Sequence, residues 1–379
     1  MKAVFGKLVY LGDDNILPNA YVVFDGKTIA GVEMSKPECE IIGEYEVITP
    51  AFIDAHSHIG VERSGEPVED SDTNEEMDSV LFDLNILDSI IMEDTAFRES
   101  IEAGVLYSCV NPGSGNIVGG RCAVVKNFSG NTRDAFIRHA GIKCAFGHNP
   151  KSSAEWKGTR VSTRMGVVAL LRRELKKAKQ MQSLVKRGKK EKEEFDPHFE
   201  FVSNLLARSN WLRVHVHKTD DIFAVLRLVD EFNLDIVIDH ASDVHNKETF
   251  EALKRREIPV VYGPIDAYAY KTELKNETWR NARHLIDSKV KFCVMSDHPI
   301  TVQRDLFLQL RHFRRFGLTK AQCISKITKE AAEILRVTDI GMLEKGRLAS
   351  FVCWKGDPFC IDNYPLTVYA EGKQLFREQ

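Results

Sequence analysis

Two textures of apolar and polar positions alternate along the chain. In residues 1–50, short stretches swap apolar and polar residues between turn signals: KAVFGKLVYL, AYVVFDGKTIAGVE with Asp-Gly at 25–26, and EIIGEYEVITP. That period of two, broken by a hairpin dipeptide, predicts antiparallel strands. RLASFVCWKGDP and PLTVYAEGKQLF repeat the texture near the other end. Neither end is long enough to build a core alone. The pattern therefore predicts that residues 1–50 and 340–379 form one small composite β-sandwich.

Between the ends the alternation gives way to continuous apolar runs: AFIDAH, GVLYSCVNP, CAVVKNF, IKCAFGHNP, WLRVHVH, LDIVIDHA, IPVVYGP and VKFCVMSDHP. Runs of this kind are strands buried on both faces, as in a parallel sheet, where helices supply the crossovers. Stretches of helical period lie among them, including MGVVALLRRELKKAKQM, DIFAVLRLVDEFN, KETFEALKRRE, ETWRNARHLIDS and AQCISKITKEAAEILR. Eight strands with helices over residues 51–339 predict an α/β fold, a (β/α)8 TIM barrel. Ser162 or Thr163 is placed to cap the first long helix. The charge run KRGKKEKEEFD at 186–196 reads as its solvated end.

Composition narrows the function. With 43% hydrophobic residues, 28% charged residues and a net charge of −3, the chain has no bulk field to gather nucleic acid or anionic membrane. No apolar stretch approaches the ~18 residues of a membrane span. The first residues read as a strand rather than a signal peptide. The eight cysteines are dispersed without a CxxC pair and read as reduced core thiols. The expectation is a cytoplasmic protein whose partner is a small-molecule substrate, with self-association into a homo-oligomer left open.

The polar residues of a parallel barrel that matter lie where its strands run out. Here those ends carry His56 and His58, His148, His215 and His217, His240, and Asp297 followed by His298. His56 and His58 are two apart, so in a strand they project to the same face. Inside a barrel an uncompensated imidazole is costly, and a shared cation removes the cost. His215 and His217 repeat the spacing, His240 ends the next strand, and Asp297 ends the last. A carboxylate there can bind metal and take a proton from water. Further pocket residues are Asn116, in the glycine-dense NPGSGNIVGG, and Arg164, whose guanidinium suits a substrate carboxylate.

These segments, ITPAFIDAHSHIG, NPGSGNIVGGRCAVVK, AFGHNPK, LRVHVHK, LDIVIDHASD, VMSDHP and the late DIGMLEKGRLASFVCWKGDPF, resemble the amidohydrolase superfamily, and within it the imidazolonepropionase-related amidohydrolases. The resemblance implies a distorted barrel and a divalent metal, usually zinc, as one or two ions. It assigns His56, His58, His215, His240 and Asp297 to the metal, gives Asp297 the role of general base, and has His240 or His217 help the metal stabilise the oxyanion. His217 goes to the substrate pocket, although strict alternation lets His215 and His217 exchange roles. His148 stands where similar members tend to carry glutamate and is a further candidate ligand. Some binuclear relatives bridge their metals with a carboxylated lysine, for which Lys151 is a remote candidate.

The implied reaction is hydrolysis of a carbon–nitrogen bond, foremost in a small cyclic amide or amidine. An aminohydrolase or a dipeptidase-like enzyme is the alternative, and a scaffold without catalysis is a third.

Overall fold

A computed structural model describes residues 1–151 and 160–378. Strands β1 (Lys2–Tyr10), β2 (Ile16–Asp25), β3 (Thr28–Glu33) and β4 (Glu40–Pro50) come from the first texture. The Asp-Gly signal is the β2–β3 hairpin, with Gly26 at φ +53°. The eight apolar runs are β5 (Phe52–Ser57), β6 (Val105–Val110), β7 (Val118–Lys126), β8 (Phe136–Ala145), β9 (Leu212–Val216), β10 (Ile236–His240), β11 (Val260–Tyr262) and β12 (Phe292–Val294). β13 (Phe351–Trp354), β14 (Pro365–Ala370) and β15 (Lys373–Arg377) close the chain.

Strands from both ends lie in one seven-stranded sheet, ordered β15-β14-β13-β4-β1-β2-β3. The ends meet where Thr49 and Pro50 of β4 pair antiparallel with Val352 and Phe351 of β13. Val4, Val22, Phe24, Ile48, Phe351 and Tyr369 form this sheet's own apolar cluster.

β5 to β12 form the second sheet in sequence order, and it curls into a nearly closed barrel. It departs from eight parallel strands at one place. β7 runs antiparallel to both β6 and β8. The reason is connection length: residues 111–117 and 127–135 are too few for a crossover, and short links make hairpins. β8 through β12 are parallel, with helices Thr219–Phe232, Lys247–Lys254 and Ala282–Ser288 after β9, β10 and β11.

The barrel closes through the segment beyond β12. Asp297 N donates to His56 O at 3.1 Å, and His58 N donates to His298 O at 3.0 Å. Closure thus brings the end of the last strand beside the end of the first.

The first long helix spans Arg164–Lys186, and Thr163 is its cap, its hydroxyl accepting from Gly166 N at 3.1 Å. The charge run begins in its last turn and is exposed over Lys186–Glu191. All eight cysteines are unpaired, and six of them are buried. Among the described residues no helix is long and apolar enough to cross a membrane.

Candidate metal centre

The C-terminal ends of β5, β9 and β10 and the turn after β12 converge on a cluster of imidazoles. His56 and His58 project together, as their spacing requires, with ring centroids 5.3 Å apart. His240 lies 5.1 Å from His56 and 4.4 Å from His215 by centroid. Asp297 Oδ1 is 3.4 Å from Nε2 of both His56 and His58, and Oδ2 is 4.0 Å from His240 Nδ1.

His240 and Asp297 reach the centre through strained backbone. Asp239 already points inward to Arg213, so alternation would turn its neighbour His240 outward. A φ of +75° at His240 overrides that, and Asp297 sits at φ +54°. Non-glycine residues held there cost about 1–3 kcal/mol each and mark sites where side-chain aim outweighs backbone comfort.

The outer faces of the rings are tied to oxygens. His58 Nδ1 lies 2.8 Å from Asn111 O, His240 Nδ1 lies 3.0 Å from Gly263 O, and His56 Nδ1 is 3.1 Å from Asp239 Oδ2. The Asn111 and Gly263 carbonyls fix the tautomers of His58 and His240 and leave their Nε2 lone pairs facing inward, while Asp239 faces His56 Nδ1 as a charge partner. Burial, helped by neighbouring positive groups, keeps His56, His215 and His240 well below the usual histidine range, so they are neutral. For Asp297, burial alone would raise the carboxyl, but the neighbouring His240 and His58 outweigh it and hold it below its ordinary value.

A metal ion fits this donor set. His240 Nε2 is buried without a hydrogen-bond partner, as are both ring nitrogens of His217. Buried polar atoms are rarely left unpaired unless an ion or water takes them. His56, His240 and Asp297 offer atoms within 4.8 Å of one another, and so do His215, His217 and His240. Neutral imidazoles with one carboxylate are zinc-type ligands. The two groups share His240, and both His215 and His217 belong to the second, so proximity does not separate the roles assigned to them.

Four candidate residues fall elsewhere. The His148 side chain is exposed, and it is the backbone N of His148 that enters the site, donating to Glu273 Oε2 at 2.9 Å. Arg164 is bound to Asp221 at 2.8 Å. Asn116 is buried, with Nδ2 donating to Glu75 O and Asp78 O at 2.8 Å each, so it ties down the 75–78 loop. Lys151 lies in the loop beyond β8, its N bonded to His148 O.

Four residues not singled out from the sequence complete the centre. Lys143 on β8 is fully buried, with Nζ 3.3 Å from His56 Nε2. Burial lowers its pKa, against the pull of Asp239. Arg213 and Asp239 form a wholly buried pair at 2.7 Å. Glu273, in the turn Thr272–Leu274, faces His215 Nε2 at 3.4 Å and Lys271 Nζ at 2.9 Å. For Lys143, Arg213 and Asp239 the sequence signal is a charge inside an apolar run: Lys143 in IKCAF, Arg213 two residues before His215, and Asp239 beside His240.

Beneath the centre, Asp54 accepts from Ser296 N at 3.0 Å, from Ser296 Oγ, and from Gln303 Nε2 at 2.8 Å. This clamp holds the residue before Asp297. Burial pushes the Asp54 carboxyl up to about 6 despite those bonds. The centre opens to solvent through a cleft of about 220 Å³ whose walls include His58, His215, His240, Asp297 and Lys271.

A barrel with histidines and an aspartate gathered at its strand ends is the architecture of the amidohydrolases, and the comparisons agree. Residues 177–375 match the model of the amidohydrolase family, and the chain belongs to it. It is 25% identical to amidohydrolase tasK of Hapsidospora irregularis over 99% of its length, yet spans only 41% of that protein. A solved amidohydrolase from Thermotoga maritima MSB8 superposes with a TM-score of 0.90 at 29% identity, covering the whole of both chains. Atrazine chlorohydrolase TrzN from Arthrobacter aurescens TC1, solved complexed with zinc, shares the fold at a TM-score of 0.58 and 15% identity, over all of this chain and 95% of its own.

Proposed function

We propose that the protein is a metal-dependent amidohydrolase that hydrolyses a non-peptide carbon–nitrogen bond of a small molecule, foremost a cyclic amide or amidine. The observation carrying this reading is the convergence of His56, His58, His240 and Asp297, with His240 Nε2 buried and unpartnered. His56, His58, His240, Asp297 and one or both of His215 and His217 would hold the cation. Zinc is favoured by the donor set and by the zinc complex of the TrzN relative.

When bound, such a cation supplies Lewis acidity that brings water toward ionisation near neutral pH and polarises the scissile group. Asp297, kept ionised by its imidazole neighbours, accepts the proton at its carboxylate and returns it to the departing nitrogen. The Ser296–Asp54–Gln303 clamp keeps that carboxylate from turning away. Asp239 and Arg213 fix His56, and Asn111 and Gly263 fix His58 and His240. Lys143, buried with its Nζ 3.3 Å from His56 Nε2, is a better candidate than Lys151 for the bridging role that a carboxylated lysine has in binuclear relatives.

The test is a screen of zinc- or manganese-supplemented enzyme against hydantoins, imidazolones, lactams, purines and dipeptides. Turnover of a cyclic amide or amidine supports the reading. Turnover confined to purines or dipeptides replaces it with a deaminase or peptidase, and metal-free purification with no turnover at all points to a scaffold.

A further inference from the structure

We infer that Glu273 is a positioning residue for this reaction: its carboxylate anchors the His215 ring at the metal centre by accepting a hydrogen bond from Nε2. The inference rests on the metal-dependent reading above. Glu273 lies in the loop beyond β11, 1% exposed, and one carboxylate joins three separate parts of the barrel rim. Oε2 accepts from His148 N at 2.9 Å in the loop beyond β8. Oε1 accepts from Lys271 Nζ at 2.9 Å in its own loop, and lies 3.4 Å from His215 Nε2 and 3.9 Å from His217 Nε2.

Gly147 makes the space for this. A Cβ there would lie 2.8 Å from Glu273 Oε2, and its φ of +88° is one other residues seldom adopt. Both carboxylate oxygens are therefore occupied by protein donors, which suits an anchor rather than an additional ligand.

The chemistry of the contact sets the tautomer. A carboxylate only accepts, so His215 must carry its proton on Nε2, leaving Nδ1 as the lone pair it can offer. That is the reverse of His58 and His240, whose Nδ1 atoms are committed to backbone carbonyls. Carboxylates in this position orient metal-bound histidines, and their loss typically costs 10–100-fold in metal affinity.

The experiment compares wild type, Glu273→Ala, Glu273→Gln and Glu273→Asp as full-length proteins, with zinc alone as the probe. Zinc affinity is read by chelator competition, and the ligand field by the visible spectrum of the cobalt(II)-substituted protein. Circular dichroism verifies folding. Glu273→Ala is expected to weaken zinc binding by about 10–100-fold and to shift the cobalt bands. Glu273→Gln, whose amide oxygen still accepts from Nε2 while its NH2 is set against the donor His148 N, is expected to recover part of the loss. Should Glu273→Ala fail to fold, Glu273→Asp keeps the charge beside Lys271 but withdraws the acceptor from His215, and the same weakening is expected. Variants with wild-type competition curves and cobalt spectra overturn the inference, as does Glu273→Gln as weak as Glu273→Ala. A wild-type protein that takes up no zinc overturns the metal reading itself, which separates the two failures.

Discussion

Lys143 Nζ stands 3.3 Å from His56 Nε2, and both side chains are wholly buried. An ammonium at that point repels the cation that His56 is arranged to bind. Metal binding therefore requires Lys143 to give up its ammonium proton, and a carbamate formed there with carbon dioxide would release a second. Zinc affinity is expected to rise with pH, with at least one proton released on account of this residue. Calorimetry in buffers of differing ionisation enthalpy measures that release. Lys143→Met should lose that proton, and an unchanged count contradicts the role given to Lys143.

Asp297→Asn keeps the size of the side chain and removes its basicity. Turnover is expected to fall by about 10²–10⁴-fold, the range for a lost general base, with the fold unchanged. Steady-state rates and a thermal melt check this together. A variant with near wild-type kcat would remove Asp297 from the proton path.

Arg213 and Asp239 test the buried scaffold behind the ligands. Replacing Arg213 by Met leaves Asp239 charged, buried and without its guanidinium, and is expected to cost about 3–5 kcal/mol of stability. Denaturant titration of the metal-free protein reads the loss. A change within ~1 kcal/mol would show that the pair contributes little beyond its surroundings.

Much of this was legible in the sequence, and the failures have physical causes. All eight barrel strands announce themselves as apolar runs because a strand covered on both faces excludes polar residues. Direction is not written in such a run, and β7 turns back only because its connections are short. His56, His58, His240 and Asp297 could be read from strand ends. Lys143, Arg213 and Asp239 were overlooked because each looks like an isolated exception inside an apolar segment, whereas the fold pairs them across strands. Glu273 lies in a loop with no period, and only folding sets it against His215. Arg164 and Asn116 carry suitable groups, but local partners, Asp221 and the 75–78 loop, claim them first.

The pH dependence of stability follows from His217. Burial first, and then Lys271, hold it down to about 3 in the folded protein, whereas an unfolded chain's imidazole titrates near 6.5. Between those values the unfolded chain binds a proton that the fold refuses. Its contribution is thus fully present above about 6.5 and is lost as pH falls toward 3. His217→Gln should flatten the drop in denaturation midpoint between pH 7 and pH 5 in metal-free protein. An equal drop in both proteins contradicts the assignment.

The most direct test of the account is an anomalous difference map from crystals grown with zinc and collected at the zinc edge. A peak bounded by His56, His58, His240 and Asp297 is expected. A map flat at that point, in crystals whose protein retains hydrolytic activity, contradicts it.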